Sequence, residues 1–197
     1  MDQKLQDEAF EFIEQFVKFG FYPNKEKVLE ILEDTLGGEE LDMDVIDKEI
    51  DRVIAVQLEE EKSWEPVTDF ERLAECFSEL EENNIIAVHF AGHTPTDGYE
   101  DSCDRYESWK EEGKIADGYC FYFSQDVEYA FDCGDICLAF GAFEQKHTEK
   151  ALEIGQKIVE VLKKHGFSVE WNNSTETRIL IRPFVWQKRF GSKPCYD

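Results

Sequence analysis

Basic side chains are scarce in this chain. Its 197 residues hold 21 Lys and Arg against 45 Asp and Glu, a formal net charge of −24. Binding to DNA or RNA depends on Lys and Arg releasing counterions from phosphates, and anionic lipid headgroups make the same demand. Neither nucleic acid nor a membrane surface is therefore an expected partner. The shortage is uneven. Met1–Gln145 carries 39 acids and 11 bases, net −28, while Lys146–Asp197 carries 6 acids and 10 bases, net +4. A field of that sign keeps a protein in solution and attracts basic partners.

Other absences narrow the function classes. The opening residues MDQKLQDEAFEF lack the basic start and apolar core of a signal peptide, and no apolar run reaches the length of a membrane span. The expected setting is cytoplasmic and reducing, with the six cysteines, at 76, 103, 120, 133, 137 and 195, as free thiols. No G-x-G-x-x-G, Walker A loop, G-x-S-x-G elbow or H-E-x-x-H occurs, so no familiar enzyme class is signalled and no cofactor is expected.

What is present is apolar enough to fold. Hydrophobic residues make up 42% of the chain and 16 are Phe, so burial can offset the entropy of ordering. The length suits one sizeable core, or one domain with a helical appendage. Leu5, Ala9, Phe12, Ile13 and Phe16 recur at helical spacing up to a stop at Gly20. Asn24 caps a second predicted helix that ends at Gly37-Gly38, and a third runs from about Asp44 to Glu61. Residues 1–62 thus read as an acidic helical unit, and as a candidate docking or dimerising arm; oligomeric state is left open.

Residues 63–197 read differently. Trp64-Glu65-Pro66 breaks the helical pattern, and Thr68 with Glu71 forms a capping-box start for a helix closed by Asn83-Asn84. Strands are predicted at Ile85–Phe90, Tyr119–Phe123 and Ile136–Phe140, with a polar helix near Tyr99–Glu112 between the first two. An amphipathic helix through Ala151, Ile154, Ile158, Val161 and Leu162 ends at Gly166, and Ser168–Trp171 with Arg178–Phe184 forms a hairpin. The fold class is α+β: an N-terminal helical segment, then a mostly antiparallel sheet of about five strands with helices packed on one face.

Four places carry candidate chemistry. In Ser124-Gln125-Asp126, Ser124 reads as a helix N-cap with Asp126 favoured by the helix dipole; alternatively Gln125 and Asp126 stand at a strand end and orient a ligand or a water. The stretch HFAGHTPTDGYEDSCD gathers His89, His93, Asp97, Glu100, Asp101 and Asp104. His89, His93, Asp97, Glu100 and Asp101 are weak metal candidates, because neither zinc-helix nor calcium-loop geometry is matched; a solvated loop turning at Asp97-Gly98 is expected. Cys133 and Cys137 are at neither zinc-ribbon nor redox spacing, so buried inert thiols are expected there and at Cys120, with Cys195 exposed. In RILIRPFVWQKRF, Arg178, Arg182, Lys188 and Arg189 alternate with Phe184, Trp186 and Phe190. That pattern can grip RNA, but here the cations are expected to lie against the protein's own acids.

Four stretches, SWEPVTDFERLAECFSELEENNIIA, DGYCFYFSQDVEYA, ICLAFGAF, and the ending that joins GFSVEWN to RILIRPFVWQKRF, resemble a bacterial family known only as a domain of unknown function. Trp64 with Thr68 and Asp69, Gln125 with Asp126, and Trp186 with Arg189 carry the likeness. Tyr129 stands where the resemblance places Arg, which speaks against an ion pair in that turn. The resemblance implies no activity or catalytic residue. It leaves Gln125, Asp126, Asp97, Trp186 and Arg189 as candidate ligand or interaction residues.

The function expected from these readings is a non-enzymatic interaction or inhibitor protein, immunity-like, that presents an acidic surface to a basic protein. The alternative is a metal-dependent hydrolase or small-ligand-binding protein with its site at the strand ends.

Overall fold

The computed structural model describes residues 3–37, 41–144 and 148–192. Gly38 and Cys195 lie outside the described residues. The chain divides into two compact units, one of Met1–Thr68 with Gln187–Asp197 and one of Asp69–Trp186. The C-terminal segment belongs with the helical front.

The first unit contains α1 (Gln3–Phe19), α2 (Lys25–Thr35) and α3 (Met43–Glu61). Each is amphipathic, and the buried stripes meet in one core: Ala9, Ile13 and Val17 of α1, Val28 and Leu32 of α2, Ile46, Ile50 and Val53 of α3. Fully burying one such side chain stabilises by roughly 1.5–3 kcal/mol. Asn24 caps α2 by accepting the amide of Lys27 at 2.8 Å, as its position predicts. Asp42 does the same for α3 through Val45. Arg189 comes back to this unit, donating to the carbonyl of Glu65 at 2.9 Å with its guanidinium 5.7 Å from the Trp64 ring centre.

The second unit is the α+β body. Its five-stranded sheet, in the order β1-β2-β3-β5-β4, is built from β1 (Ile85–Val88), β2 (Gly118–Phe121), β3 (Ile136–Ala142), β4 (Val169–Glu170) and β5 (Ile179–Ile181). β1 and β2 run parallel, joined by the crossover helix α5 (Pro95–Glu111); the other pairings are antiparallel. α4 (Asp69–Glu82) packs on β1, and α7 (Thr148–Lys164) packs on β2, β3 and on α4. The short α6 (Ser124–Cys133) packs on β3.

The single-face packing expected from the sequence holds for α4 and α7. A side chain at Gly118 would meet Ile154 of α7 within 3.2 Å, so the even positions of β2 face that layer. α5 lies over the opposite face, where a side chain at Gly98 would come within 2.9 Å of the Phe121 ring. Covered on both sides, β1 is buried at every position.

Two local expectations are corrected. Asp97-Gly98 is not a turn in a solvated loop but part of the first turn of α5. Pro95 opens that helix, Thr94 accepts the Asp97 amide, and the Asp97 carboxylate accepts the amides of His93 and Thr94 at 3.0 and 2.9 Å. Proline at the first helical position carries no amide to leave unsatisfied, a signal that the Gly and Asp nearby obscured. Ser124 is not the N-cap of α6 either. It is the first helical residue, and Asp126 reaches back to accept the Phe123 amide at 3.2 Å.

Candidate functional site

The carboxyl ends of the parallel strands β1 and β2 come together at the starts of α5 and α6. Beyond the paired residues the Ala91 amide donates to the Tyr122 carbonyl at 2.9 Å and the Ser124 amide to the Gly92 carbonyl at 3.2 Å. This brings His93 Nδ1 to 3.1 Å from Ser124 Oγ, with Asp97, Gln125 and Asp126 on the same end of the sheet. Strand ends of this kind are where open sheets with parallel strands bind ligands.

Most of the groups there are occupied by the fold. His89 is buried, its Nδ1 2.8 Å from the Tyr122 hydroxyl and its ring stacked on Phe77 with centroids 4.3 Å apart. Asp97 serves its helix cap, and the amides it accepts hold its carboxyl below the usual carboxylate range. Asp126 is buried and divides its two oxygens between the Phe123 amide and Arg178 Nη1 at 2.6 Å. Burial pushes its carboxyl above the ordinary value against the opposing pull of Arg178. Gln125 is exposed at the second position of α6. The five residues weighed as metal ligands do not converge, since among the described residues no group of three or more His, Cys, Asp or Glu is placed to hold a metal ion.

The other two candidates lie elsewhere. Trp186 is buried among Phe70, Tyr122, Phe184 and Phe131 in the second unit, and Arg189 belongs to the first. Trp64, Asp69, Asp126 and Arg189 are all engaged in contacts within the fold. Asp69 accepts the Val185 amide at 2.9 Å next to Trp186, as Arg189 holds Glu65 next to Trp64. The chain belongs to the family described as Domain of unknown function (DUF6891), which matches residues 2–190. No curated protein and no solved structure matches it.

DUF6891 membership assigns no reaction. Arg178 and Arg182 lie against the protein's own acids, as expected: Arg178 on Asp126, and Arg182 on Asp135 at 2.5 Å. The expectation of no ion pair in the turn after Gln125-Asp126 is thereby corrected, the cation coming from 52 residues on. No described helix is long and apolar enough to cross a membrane. Of the thiols, Cys76 and Cys120 are buried, while two expectations of burial are corrected: Cys133, the last residue of α6, is exposed and Cys137 is half-buried.

The feature that sequence reading underrated is the outer face of α5. Glu100 and Asp101, then Asp104, Glu107 and Glu111 at steps of three or four residues, all have exposed positions. Burial first, then repulsion from Asp104, Asp97 and Glu100, raises the Asp101 carboxyl above its usual range. An apolar periodicity is what marks a helix in sequence, and a polar stripe on its outer face gives no such signal.

Proposed function

We propose that this protein is a non-enzymatic binder of a basic protein partner, with the carboxylate stripe of α5 as its recognition face. The observation that carries the reading is the row of exposed carboxylates along α5, Glu100, Asp101, Asp104, Glu107 and Glu111, whose mutual repulsion an incoming cationic surface relieves. Cations of the same unit are engaged in ion pairs of their own, Arg72 with Asp69, Arg105 with Glu81, Lys164 with Glu79, Arg178 with Asp126 and Arg182 with Asp135, and on the stripe itself Lys110 pairs with Glu107. An immunity-like inhibitor of a basic toxin, in a bacterial cytoplasm, is the setting that fits this chemistry. Nucleic acid is not among the partners. Affinity chromatography at low salt, with a variant carrying Glu100→Gln, Asp101→Asn, Asp104→Asn and Glu107→Gln as control, tests it. The expected result is a basic protein retained by the native surface, released by salt and absent from the variant. Retention that ignores salt and these four charges contradicts the reading.

The second reading, a hydrolytic or ligand-binding site at the strand ends, is favoured by the His93–Ser124 contact. A bound divalent ion found by elemental analysis, lost on His93→Gln, would move the function there.

A further inference from the structure

The helices α4 and α7 pack on each other, and between them opens a groove of about 270 Å³. Leu80 of α4 and Val161 of α7, both buried, give it an apolar floor. Lys157, Glu160 and Lys164 line it from the same face of α7 as Val161, at the spacing i, i+3, i+4, i+7. We propose that this groove binds a free amino acid with a small apolar side chain, its carboxylate on Lys157, its ammonium on Glu160 and its side chain against Leu80 and Val161. The inference goes beyond the basic-partner reading and uses none of the α5 carboxylates.

Of the four charged side chains in the groove, two are spent on each other. Lys164 Nζ donates to the two oxygens of Glu79 at 2.8 and 2.9 Å, and His165 Nε2 lies 2.9 Å from one of them. Arg72 of α4 adds a bond to the His165 carbonyl at 3.3 Å, so the walls are joined before any ligand arrives. Lys157 and Glu160 are exposed and stand in no ion pair with each other or with another described residue. Asn83 donates its side-chain nitrogen to the Glu79 carbonyl at 2.7 Å, which leaves its side-chain oxygen as a second acceptor for an ammonium.

Among the described lining residues one unpaired cation thus stands beside one unpaired anion, and that balance selects the ligand. An anion drawn to Lys157 meets Glu160 and Glu79, and a cation drawn to Glu160 meets Lys157 and Lys164. A zwitterion satisfies both at once, and the net charge of −24, which repels anions, leaves it unopposed. An uncharged ligand would dehydrate both charges and return nothing. Side chains three apart on a helix have Cβ atoms about 5–6 Å apart, so both can reach the two groups that an amino acid carries on a single carbon. The termini of a peptide stand further apart with each residue, by up to about 3.3–3.6 Å. The volume agrees: pockets for drug-sized ligands start at roughly 300 Å³, and 270 Å³ suits something smaller.

The test uses the full chain and three probes: L-valine, isovalerate, which is valine without its ammonium, and isobutylamine, which is valine without its carboxylate. Methyl NMR follows Leu80 and Val161 through each titration. Valine is expected to shift both sets of methyl signals saturably, and each truncated probe to bind about five-fold more weakly, the upper end for one exposed ion pair. Lys157→Met and Glu160→Gln are expected to weaken valine by a similar factor at an unchanged melting temperature, since neither side chain has an ion pair within the fold to lose. Methyl signals unmoved by valine, three probes binding alike, or variants that bind valine as the native chain does overturn the site. Each of these outcomes leaves the basic-partner reading standing, because that reading is tested on α5.

Discussion

Asp126 gives one carboxylate oxygen to the amide of Phe123 and the other to the guanidinium of Arg178, tying the start of α6 to the residue just before β5. Asp126→Ala removes both contacts and strands Arg178 against the Phe123 ring it overlies at 5.4 Å. Loss of a helix cap costs about 1–2 kcal/mol, so urea unfolding should show at least that loss. Asp126→Asn, which keeps an acceptor for Phe123, should lose less. The pH sign is opposite to the usual one for an acid. The folded value is raised, so the group's contribution is greatest below its unfolded value and declines as pH rises through the folded one. A carboxyl NMR titration checks it, and a depressed value contradicts it.

Three other carboxylates run the other way. Asp97 is held down chiefly by the His93 amide, Asp135 by Arg182, and Glu79 by Lys164 with His165. Each contributes stability that is in place above its unfolded value and lost as pH falls through its depressed folded one. The melting temperature is therefore expected to drop as pH is taken below about 4. Glu79→Gln should flatten that decline, which circular dichroism melts across the acid range would show. An unchanged profile would mean these contacts carry no linkage.

Gly141→Ala should destabilise the second unit by roughly 1–3 kcal/mol, the usual penalty for overpacking, because the new methyl meets Tyr119 and not open space. In a Tyr119→Val background the same alanine should be tolerated far better. A double-mutant cycle measures the coupling, and additive effects would refute the contact.

Thiol reactivity should rank by burial. Burial pushes Cys76 up to about 12 and raises Cys120 further, so both should resist iodoacetamide at neutral pH while exposed Cys133 reacts. Peptide mass mapping after a short pulse reads this directly.

Much of this architecture was legible because it is written in periodicity and caps. The three front helices, the Asn24 cap, the close of α4 at Asn83-Asn84 and the β4–β5 hairpin follow from local residue chemistry, and each is found close to its predicted place. What local chemistry does not encode is which distant residue completes a contact. Nothing near Asp126 announces Arg178, and nothing near Trp64 announces the return of Arg189. The start of α5 is ambiguous in sequence because Asp97-Gly98 is also a turn signal, and the Thr94 side chain and Pro95 decide for helix. The candidate site was legible residue by residue and not as a set. His89 and Asp126 have the chemistry of a site and spend it on the core.

The α5 carboxylates are expected to govern association with the basic partner. The most direct measurement is the association rate constant of the captured basic partner as a function of salt, for the native chain and for the variant neutralised at Glu100, Asp101, Asp104 and Glu107. A native rate that falls roughly ten-fold or more from low to high salt, with the variant slow and nearly flat, is predicted from electrostatic steering. Two superimposable curves would contradict it.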